Sequence, residues 1–200
     1  MLPYSEIQQH VINKLEDGLS PALTYHNLQH TIDVLKQAMD ISSEEGIDDN
    51  EDIMLLQVAA LYHDVGFLNT YNGHEEKSCV IATQELPGFG LTENQIEKVC
   101  GMIMATKVPQ IPQNTLEEII CDADLDYLGR SDFFTIGEGL FREFMDQGIV
   151  TNDKEWNMLQ VSFLENHTYF TATSKARRDK KKQEHLEEIK EKLSAMGGEL

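Results

Sequence analysis

The sequence contains no long hydrophobic segment. Its most apolar run, residues 53–61, is nine residues long and is interrupted by Gln57. A membrane-spanning helix needs about 20 consecutive apolar residues, so we expect no transmembrane helix and no membrane partner. The N-terminus lacks a basic stretch followed by an apolar one, and so no signal peptide is expected. These absences predict a cytoplasmic protein.

Cysteine is scarce as well. Cys79, Cys100 and Cys121 form no CxxC pair, and their odd number leaves one thiol unpaired in any disulfide scheme. We interpret all three as reduced thiols that serve as small core residues.

Basic residues are few, because 16 Lys and Arg face 35 Asp and Glu and the formal net charge is −19. Such a charge repels nucleic acids and anionic membranes at long range, so no nucleic-acid polymer is expected as a partner. A small phosphorylated substrate is compatible with this negative charge, since a bound metal ion can make the local electrostatic potential positive. Residues 175–182 hold six of the basic residues. We interpret this basic run as a solvated helix face, with contacts to the acidic body or homo-oligomer assembly as alternatives.

No glycine-rich phosphate loop, internal repeat or extended strand pattern is present, whereas apolar residues recur at helical spacing. With 40% hydrophobic residues, the chain predicts an all-α, compact single domain over residues 1–200, built as a bundle of eight or nine helices. The predicted helices cover about residues 7–18, 32–45, 49–66, 75–86, 92–106, 115–128, 132–147, 153–169 and 174–196.

Histidines and aspartates provide the chemically informative patterns. His26 and His30 are four residues apart, which on a helix places both imidazoles on one face. Asn27 stands where the HExxH zinc motif has its glutamate, which argues against a metalloprotease. Two ordinary histidines remain the alternative.

His63 and Asp64 follow the apolar helix 54–62, so two polar groups lie at the edge of a core and need partners. A divalent cation would satisfy both. The alternative is a helix C-terminus at which His63 meets the helix dipole and Asp64 is solvated.

Three carboxylates, Asp122, Asp124 and Asp126, lie in one predicted helix. Asp122 and Asp126 share a face and fit a solvated acidic surface. Asp124 lies on the opposite, apolar side, where a carboxylate requires a cation.

The order His30, His63-Asp64, Asp124 resembles the signature of the HD superfamily of metal-dependent phosphohydrolases. The resemblance covers residues 20–130 and implies an HD-fold helical domain, on which the helices of residues 131–200, including a charged last helix at 174–196, would pack. Two imidazoles and two carboxylates suit a divalent ion such as Mn²⁺, Fe²⁺, Co²⁺, Ni²⁺ or Zn²⁺, and with water ligands Mg²⁺.

The segment 25–34 is also similar to the YHNxxH segment of cyclic-nucleotide phosphodiesterases, which share this fold. That resemblance implies that His26 is a general acid and His30 a metal ligand. Leu68 stands where those enzymes carry another histidine, so the likeness is partial. In many HD proteins a His-Glu pair like His74-Glu75 lines the active site, which implies a second metal or a phosphate contact; a plain helix-start residue is the alternative.

Two further residues are candidates on position alone. Asp33, one turn after His30, would fix an imidazole tautomer, or else make a buried polar contact elsewhere. Lys107 would contact the phosphate, or else be a surface lysine at a helix end.

These patterns predict a metal-dependent phosphohydrolase that cleaves a phosphomonoester or phosphodiester of a small molecule, for example a nucleotide. A metal-activated water would be the nucleophile, with one or two ions per chain. The alternatives are a metal-bound nucleotide sensor without turnover and a di-iron oxygenase on the same fold.

Overall fold

The computed structural model describes residues 4–197, so residues 1–3 and 198–200 of the predicted domain lie outside the described residues. Within residues 4–197 it contains nine α-helices and no strand, which confirms the all-α prediction. The helices are α1 (Tyr4–Gly18), α2 (Leu28–Glu44), α3 (Asn50–Tyr62), α4 (His74–Glu85), α5 (Glu93–Ala105), α6 (Thr115–Asp124), α7 (Phe133–Asp146), α8 (Asp153–Asn166) and α9 (Ala172–Ala195). Short 3₁₀ helices follow three of them, at Val65–Leu68, Leu86–Phe89 and Asp126–Gly129. Across this described part of the chain, no helix is both long and apolar enough to span a membrane.

The chain divides into two compact units. The first comprises residues 4–21 and His26–Asp124, and the second comprises Ala22–Tyr25 together with the chain from Leu125 onward. The single domain over residues 1–200 stays a prediction.

The first unit is built around α3. Asp49 caps this helix by accepting hydrogen bonds from the backbone N–H groups of Glu51 and Asp52. From Met54 to Tyr62 nearly every side chain is buried, as expected for a helix that is apolar all round. Helices α1, α2, α5 and α6 pack against it. Each buried Leu contributes roughly 1.5–3 kcal/mol to the stability of the fold. The packing of α3 therefore fixes the position of the residues that directly follow this helix.

A charged cluster ties α1 to the end of α4. Glu85 accepts hydrogen bonds from the side chains of His10, Lys14 and Tyr62. Partial burial opposes ionisation of Glu85, but the hydrogen bonds from Lys14 and His10 hold the pKa of this carboxyl below its ordinary value.

The second unit has its own apolar core, formed mainly by residues of the Leu125–Leu128 stretch, α8 and α9. Its polar interior corrects an expectation from the sequence. Asp126 is 1% exposed and accepts a hydrogen bond of 2.7 Å from Arg178 Nε, so it is not part of a solvated acidic face.

The basic run of residues 175–182 is likewise only partly solvated. Arg178 pairs with Asp126, and Lys182 is buried and donates to the backbone carbonyl of His167 at 2.6 Å. His185, which follows the run, is also buried and stacks on Phe133. A helix that is strongly charged in sequence therefore contributes to the interior of the second unit.

Candidate metal centre

Two helix ends of the first unit bring His30 and His63 together. Asn27 caps α2, because its side chain accepts hydrogen bonds from the backbone N–H groups of Gln29 and His30. His30 therefore lies in the first turn of α2, while His63 directly follows α3 and is 1% exposed. Since α2 packs on α3, the two Nε2 atoms lie 3.4 Å apart.

Two aspartates complete this group. Asp124, the last residue of α6, places Oδ1 at 3.1 Å from His30 Nε2 and 3.6 Å from His63 Nε2. Asp64 places Oδ2 at 3.2 Å from His63 Nε2 and 3.5 Å from His30 Nε2. One donor atom from each of His30, His63 and Asp124 lies within 4.8 Å of the others. The structure thus brings together all four residues for which the sequence predicts metal ligation.

The donor set fits a divalent cation. Asp64 Oδ2 is buried, and within the described chain it has no hydrogen-bond partner. His63 Nδ1 lies 2.8 Å from the backbone carbonyl of Ala60. Since a carbonyl only accepts, Nδ1 carries the hydrogen and the lone pair of Nε2 points toward the carboxylates. A buried carboxylate oxygen without a donor, beside an oriented imidazole lone pair, is what a metal ligand set requires.

The electrostatics of the group favour positive charge. Burial alone would lower the pKa of His63, but the carboxylates of Asp64 and Asp124 raise it well above its ordinary value. Burial conversely opposes ionisation of the two aspartates, yet the neighbouring histidines hold the pKa of both carboxyl groups far below the usual range. Protons and metal ions therefore compete for binding to the His63 imidazole and the two carboxylates.

His74 lies on the other side of the Asp64 carboxylate. It is the first residue of α4, and its Nε2 is 3.4 Å from Asp64 Oδ1. Its Nδ1 faces the backbone carbonyl of Tyr71 at 3.2 Å, so the lone pair of Nε2 again points toward the aspartate. Asp64 therefore presents one oxygen to the His30–His63 pair and the other to His74.

His26 reaches the site from outside a helix, which corrects the expectation that it shares a helix face with His30. Helix α2 begins at Leu28, and His26 precedes its cap. The imidazole stacks on Phe67 with a centroid distance of 4.3 Å, and Phe67 also stacks on His74 at 3.9 Å. The ring centroids of His26 and His30 are 5.9 Å apart.

Sequence reasoning missed Phe67 as part of this site. The residue is 8% exposed and stacks on both imidazoles, those of His26 and His74. The sequence offered one signal for this residue, its position directly after the His-Asp-Val-Gly motif of residues 63–66.

Ser78 was missed as well. It is fully buried on α4, and its hydroxyl donates to the His63 carbonyl at 2.7 Å and accepts from the Gly66 N–H at 2.8 Å. Gly66 is required here, because a Cβ at this position would lie 1.9 Å from the backbone oxygen of His74. These contacts hold the segment that carries His63 and Asp64 against α4.

The remaining candidates occupy other surroundings. Asp33 accepts a hydrogen bond from Gln37 at 3.3 Å, and Lys107 forms an ion pair with Glu76 on the surface. Their roles stay predictions. Asp122 is fully buried, so its predicted place on a solvated acidic face is wrong.

Comparison with known proteins places this geometry in a family. The HD domain family model matches residues 27–126, which is half of the chain. No curated protein matches the chain significantly. Among solved structures, the chain is similar to a predicted HD superfamily hydrolase from an uncultured Thermotogales bacterium, with 23% identity over 97% of this chain and 92% of that chain and a TM-score of 0.61. It is also similar to the Lin1889 protein of Listeria innocua, with 17% identity over 96% of this chain and 97% of that chain and a TM-score of 0.64.

These two structures show the fold and agree with the helical architecture described above. The family match contains His30, His63, Asp64 and Asp124, the residues on which the resemblance in sequence was based. An HD domain implies binding of a divalent metal, and the group of His30, His63 and Asp124 fits one. The chain belongs to the HD domain family.

Proposed function

We propose that the chain is a metal-dependent phosphohydrolase that cleaves a phosphomonoester or phosphodiester of a small molecule, with nucleotides as the first class to test. Membership of the HD domain family supports a metal-dependent hydrolase. The observation that carries the proposal is the convergence of His30, His63 and Asp124, with the partnerless Asp64 oxygen beside them.

In this proposal His30, His63, Asp64 and Asp124 hold the cation. When bound, a divalent cation supplies a Lewis acid that polarises a phosphoryl oxygen and makes water nucleophilic at neutral pH. The hydrogen bond from His63 Nδ1 to the Ala60 carbonyl keeps the other ring nitrogen available as a donor to the metal. The charges of the two carboxylates match those of a divalent ion.

His26 is proposed as the proton donor to the leaving oxygen. Its ring is held by stacking on Phe67, and it lies close enough to Asp64 to stabilise the charge of that carboxylate. In this role the ring acts as an imidazolium, the form that can donate a proton. Transfer of that proton lets the leaving group depart as an alcohol.

His74 extends the site on the free side of Asp64. Its Nε2 and Asp64 Oδ1 are 3.4 Å apart, so a second cation held by these two residues is part of the proposal. A phosphate oxygen hydrogen-bonded to His74 is the alternative occupant of this side. The proposal has two further elements. Asp33 orients an imidazole, and Lys107 contacts the phosphate.

Metal-dependent turnover tests the proposed function directly. Chelator-stripped protein would receive Mg²⁺, Mn²⁺, Co²⁺ or Ni²⁺ and a panel of phosphomonoesters, nucleotides and cyclic nucleotides, with Asp64→Ala as the blank. We expect phosphate or phosphomonoester release with one metal and one substrate class, absent from the blank. Tight nucleotide binding without turnover would instead indicate a sensor.

The role of His26 has its own test. Because general acid catalysis contributes about 10²–10⁴-fold, His26→Ala should lose activity by roughly this factor on substrates with alkoxide leaving groups. The loss should be far smaller on a nitrophenyl ester, and the metal content should stay unchanged. His10→Ala, a histidine on α1, is the matched control. Equal losses on both substrates would remove His26 from the acid role.

A di-iron oxygenase is the second candidate, because the position of His74 against Asp64 also suits two iron ions. The two functions differ in iron content and in oxygen consumption. Protein that is isolated with two irons per chain and consumes O₂ with an organic substrate, but hydrolyses no phosphoester, would favour the oxygenase.

A further inference from the structure

The three cysteines are free thiols, as expected, but they differ in how deeply they are buried. Cys121 is buried, and its thiol donates to the Ala105 carbonyl at 3.0 Å. Cys79 on α4 and Cys100 on α5 are only partly buried. Cys121 is thus a fully buried core residue, whereas Cys79 and Cys100 pack against the core of the first unit and keep part of their surface exposed.

Cys79 and Cys100 face each other across the contact between α4 and α5. The Cys79 sulfur lies 3.5 Å from the Cys100 carbonyl oxygen, and the Cys100 sulfur lies 3.8 Å from the Cys79 carbonyl oxygen. The two thiols also interact with each other. Since each sulfur reaches the main chain of the other residue, the two cysteines are direct neighbours across this helix contact.

The pair is accessible from outside. Both cysteines line an open pocket of about 640 Å³ in the first unit. Pro87, Leu91 and Ile96 contribute apolar walls to this pocket. A small uncharged oxidant can therefore reach the thiols, whereas Cys121 is closed off.

The contact between the thiols also favours reactivity. The hydrogen bond from Cys79 lowers the pKa of the Cys100 thiol to about 7, while the same contact raises the pKa of the Cys79 thiol. Because the thiolate is the nucleophilic form of cysteine, this contact favours Cys100 over Cys79 as the reactive thiol.

We infer that Cys79 and Cys100 form a dithiol site that a hydroperoxide oxidises to an intramolecular disulfide. The Cys100 thiolate attacks one peroxide oxygen and the O–O bond breaks, so that the released hydroxide leaves as water after taking a proton, or the alkoxide of an organic hydroperoxide leaves as an alcohol. The Cys79 sulfur then displaces the second hydroxide from the Cys100 sulfenic acid, which forms the S–S bond and releases a second water. Two sulfurs lose one electron each and the peroxide gains both.

Mass spectrometry on the full chain tests this site. Reduced protein would be treated with hydrogen peroxide at equimolar concentration, blocked with N-ethylmaleimide in denaturant, and digested without reductant. We expect a monomer that has lost two hydrogens, a peptide that links Cys79 to Cys100, and a blocked Cys121 that serves as the internal control. Dithiothreitol should reverse the change.

Two single variants examine the order of the steps. In Cys79→Ser, dimedone should capture a sulfenic acid on Cys100, because the resolving thiol is missing. Neither Cys79→Ser nor Cys100→Ser should form an intramolecular link. In wild type, peroxide should change the melting temperature, and dithiothreitol should restore the original value. Overoxidation of separate thiols without a link in wild type would overturn the proposal, as would a link that includes Cys121. The decisive measurement is made on wild-type protein, and none of these measurements depends on phosphohydrolase activity.

Discussion

Replacement of Ser78 by alanine should destabilise the protein far more than the loss of one hydroxyl suggests. The Ser78 hydroxyl is the shared partner of two buried backbone groups, the His63 carbonyl and the Gly66 N–H. Alanine cannot replace either contact, and full burial leaves no room for water to do so.

The magnitude follows from these two groups. An unsatisfied buried backbone group costs about 1–3 kcal/mol, and alanine recovers about 0.5 kcal/mol through its higher helix propensity. We therefore expect Ser78→Ala to lower the free energy of unfolding by about 2–5 kcal/mol. The affinity for metal should fall as well, because the released segment carries His63 and Asp64.

Urea unfolding of chelator-stripped protein measures this loss without a contribution from bound metal. Ser42→Ala is the matched control, since Ser42 is also buried on a helix of the first unit but makes one local hydrogen bond, to the Met39 carbonyl at 3.0 Å. We expect a cost of about 1 kcal/mol or less for the control. Equal costs in the two variants would refute the reasoning.

Three other perturbations have defined outcomes. Gly66→Ala should cost about 3 kcal/mol or more, because its Cβ meets the backbone of His74, whereas Gly88→Ala, which has open space around it, should melt like wild type. Glu85→Gln should lower the free energy of unfolding at pH 7. The folded-state pKa of Glu85 lies below its ordinary value, so the carboxylate stabilises the fold until it is protonated. The difference from wild type should therefore shrink as the pH falls below about 4.5. Binding of Mn²⁺ at neutral pH should release about one proton, because His63 has a raised pKa and must become neutral to ligate.

Each of these outcomes has a direct measurement. Thermal melting followed by circular dichroism compares the two glycine variants, and equal melting temperatures would contradict the steric argument. Urea titrations at several pH values test Glu85→Gln, for which a pH-independent difference would be the contrary result. Titration calorimetry in two buffers of different ionisation enthalpy counts the protons, and identical heats would contradict the raised pKa of His63.

The helices could be predicted from the sequence because their signals are local. Apolar residues at helical spacing predicted α1 and its end at Gly18, and the predicted start of α5 near residue 92 is confirmed, where Thr92 and Gln95 form a capping box. The predicted helix over residues 115–128 was too long, since α6 ends at Asp124 and a 3₁₀ helix follows. Backbone geometry changes there without any change in the apolar pattern, so periodicity could not locate the boundary.

The candidate site was predictable in part, for a chemical reason. His30, His63-Asp64 and Asp124 are costly at the edge of a core unless they share a cation, and their order along the chain matches the family to which it belongs. The chemical cost of burial could not reveal Ser78 or Phe67, and only its position after residues 63–66 pointed to Phe67. Their partners are on other segments, and neither residue type is unusual in its own sequence context.

The burial of Asp126 shows the same limit. Its shared helix face with Asp122 predicted a solvated carboxylate, but Arg178, 52 positions further along the chain, compensates its charge.

The sequence by itself determined the helical class, most helix boundaries, the acidic charge and the set of residues that can hold a metal, because each depends on neighbouring residues or on residue chemistry. The tertiary structure decided which imidazole nitrogen faces the carboxylates, which aspartates are buried, and that Cys79 and Cys100 face each other across two helices. These features depend on contacts between segments distant in the chain, and such contacts form only when the helices pack.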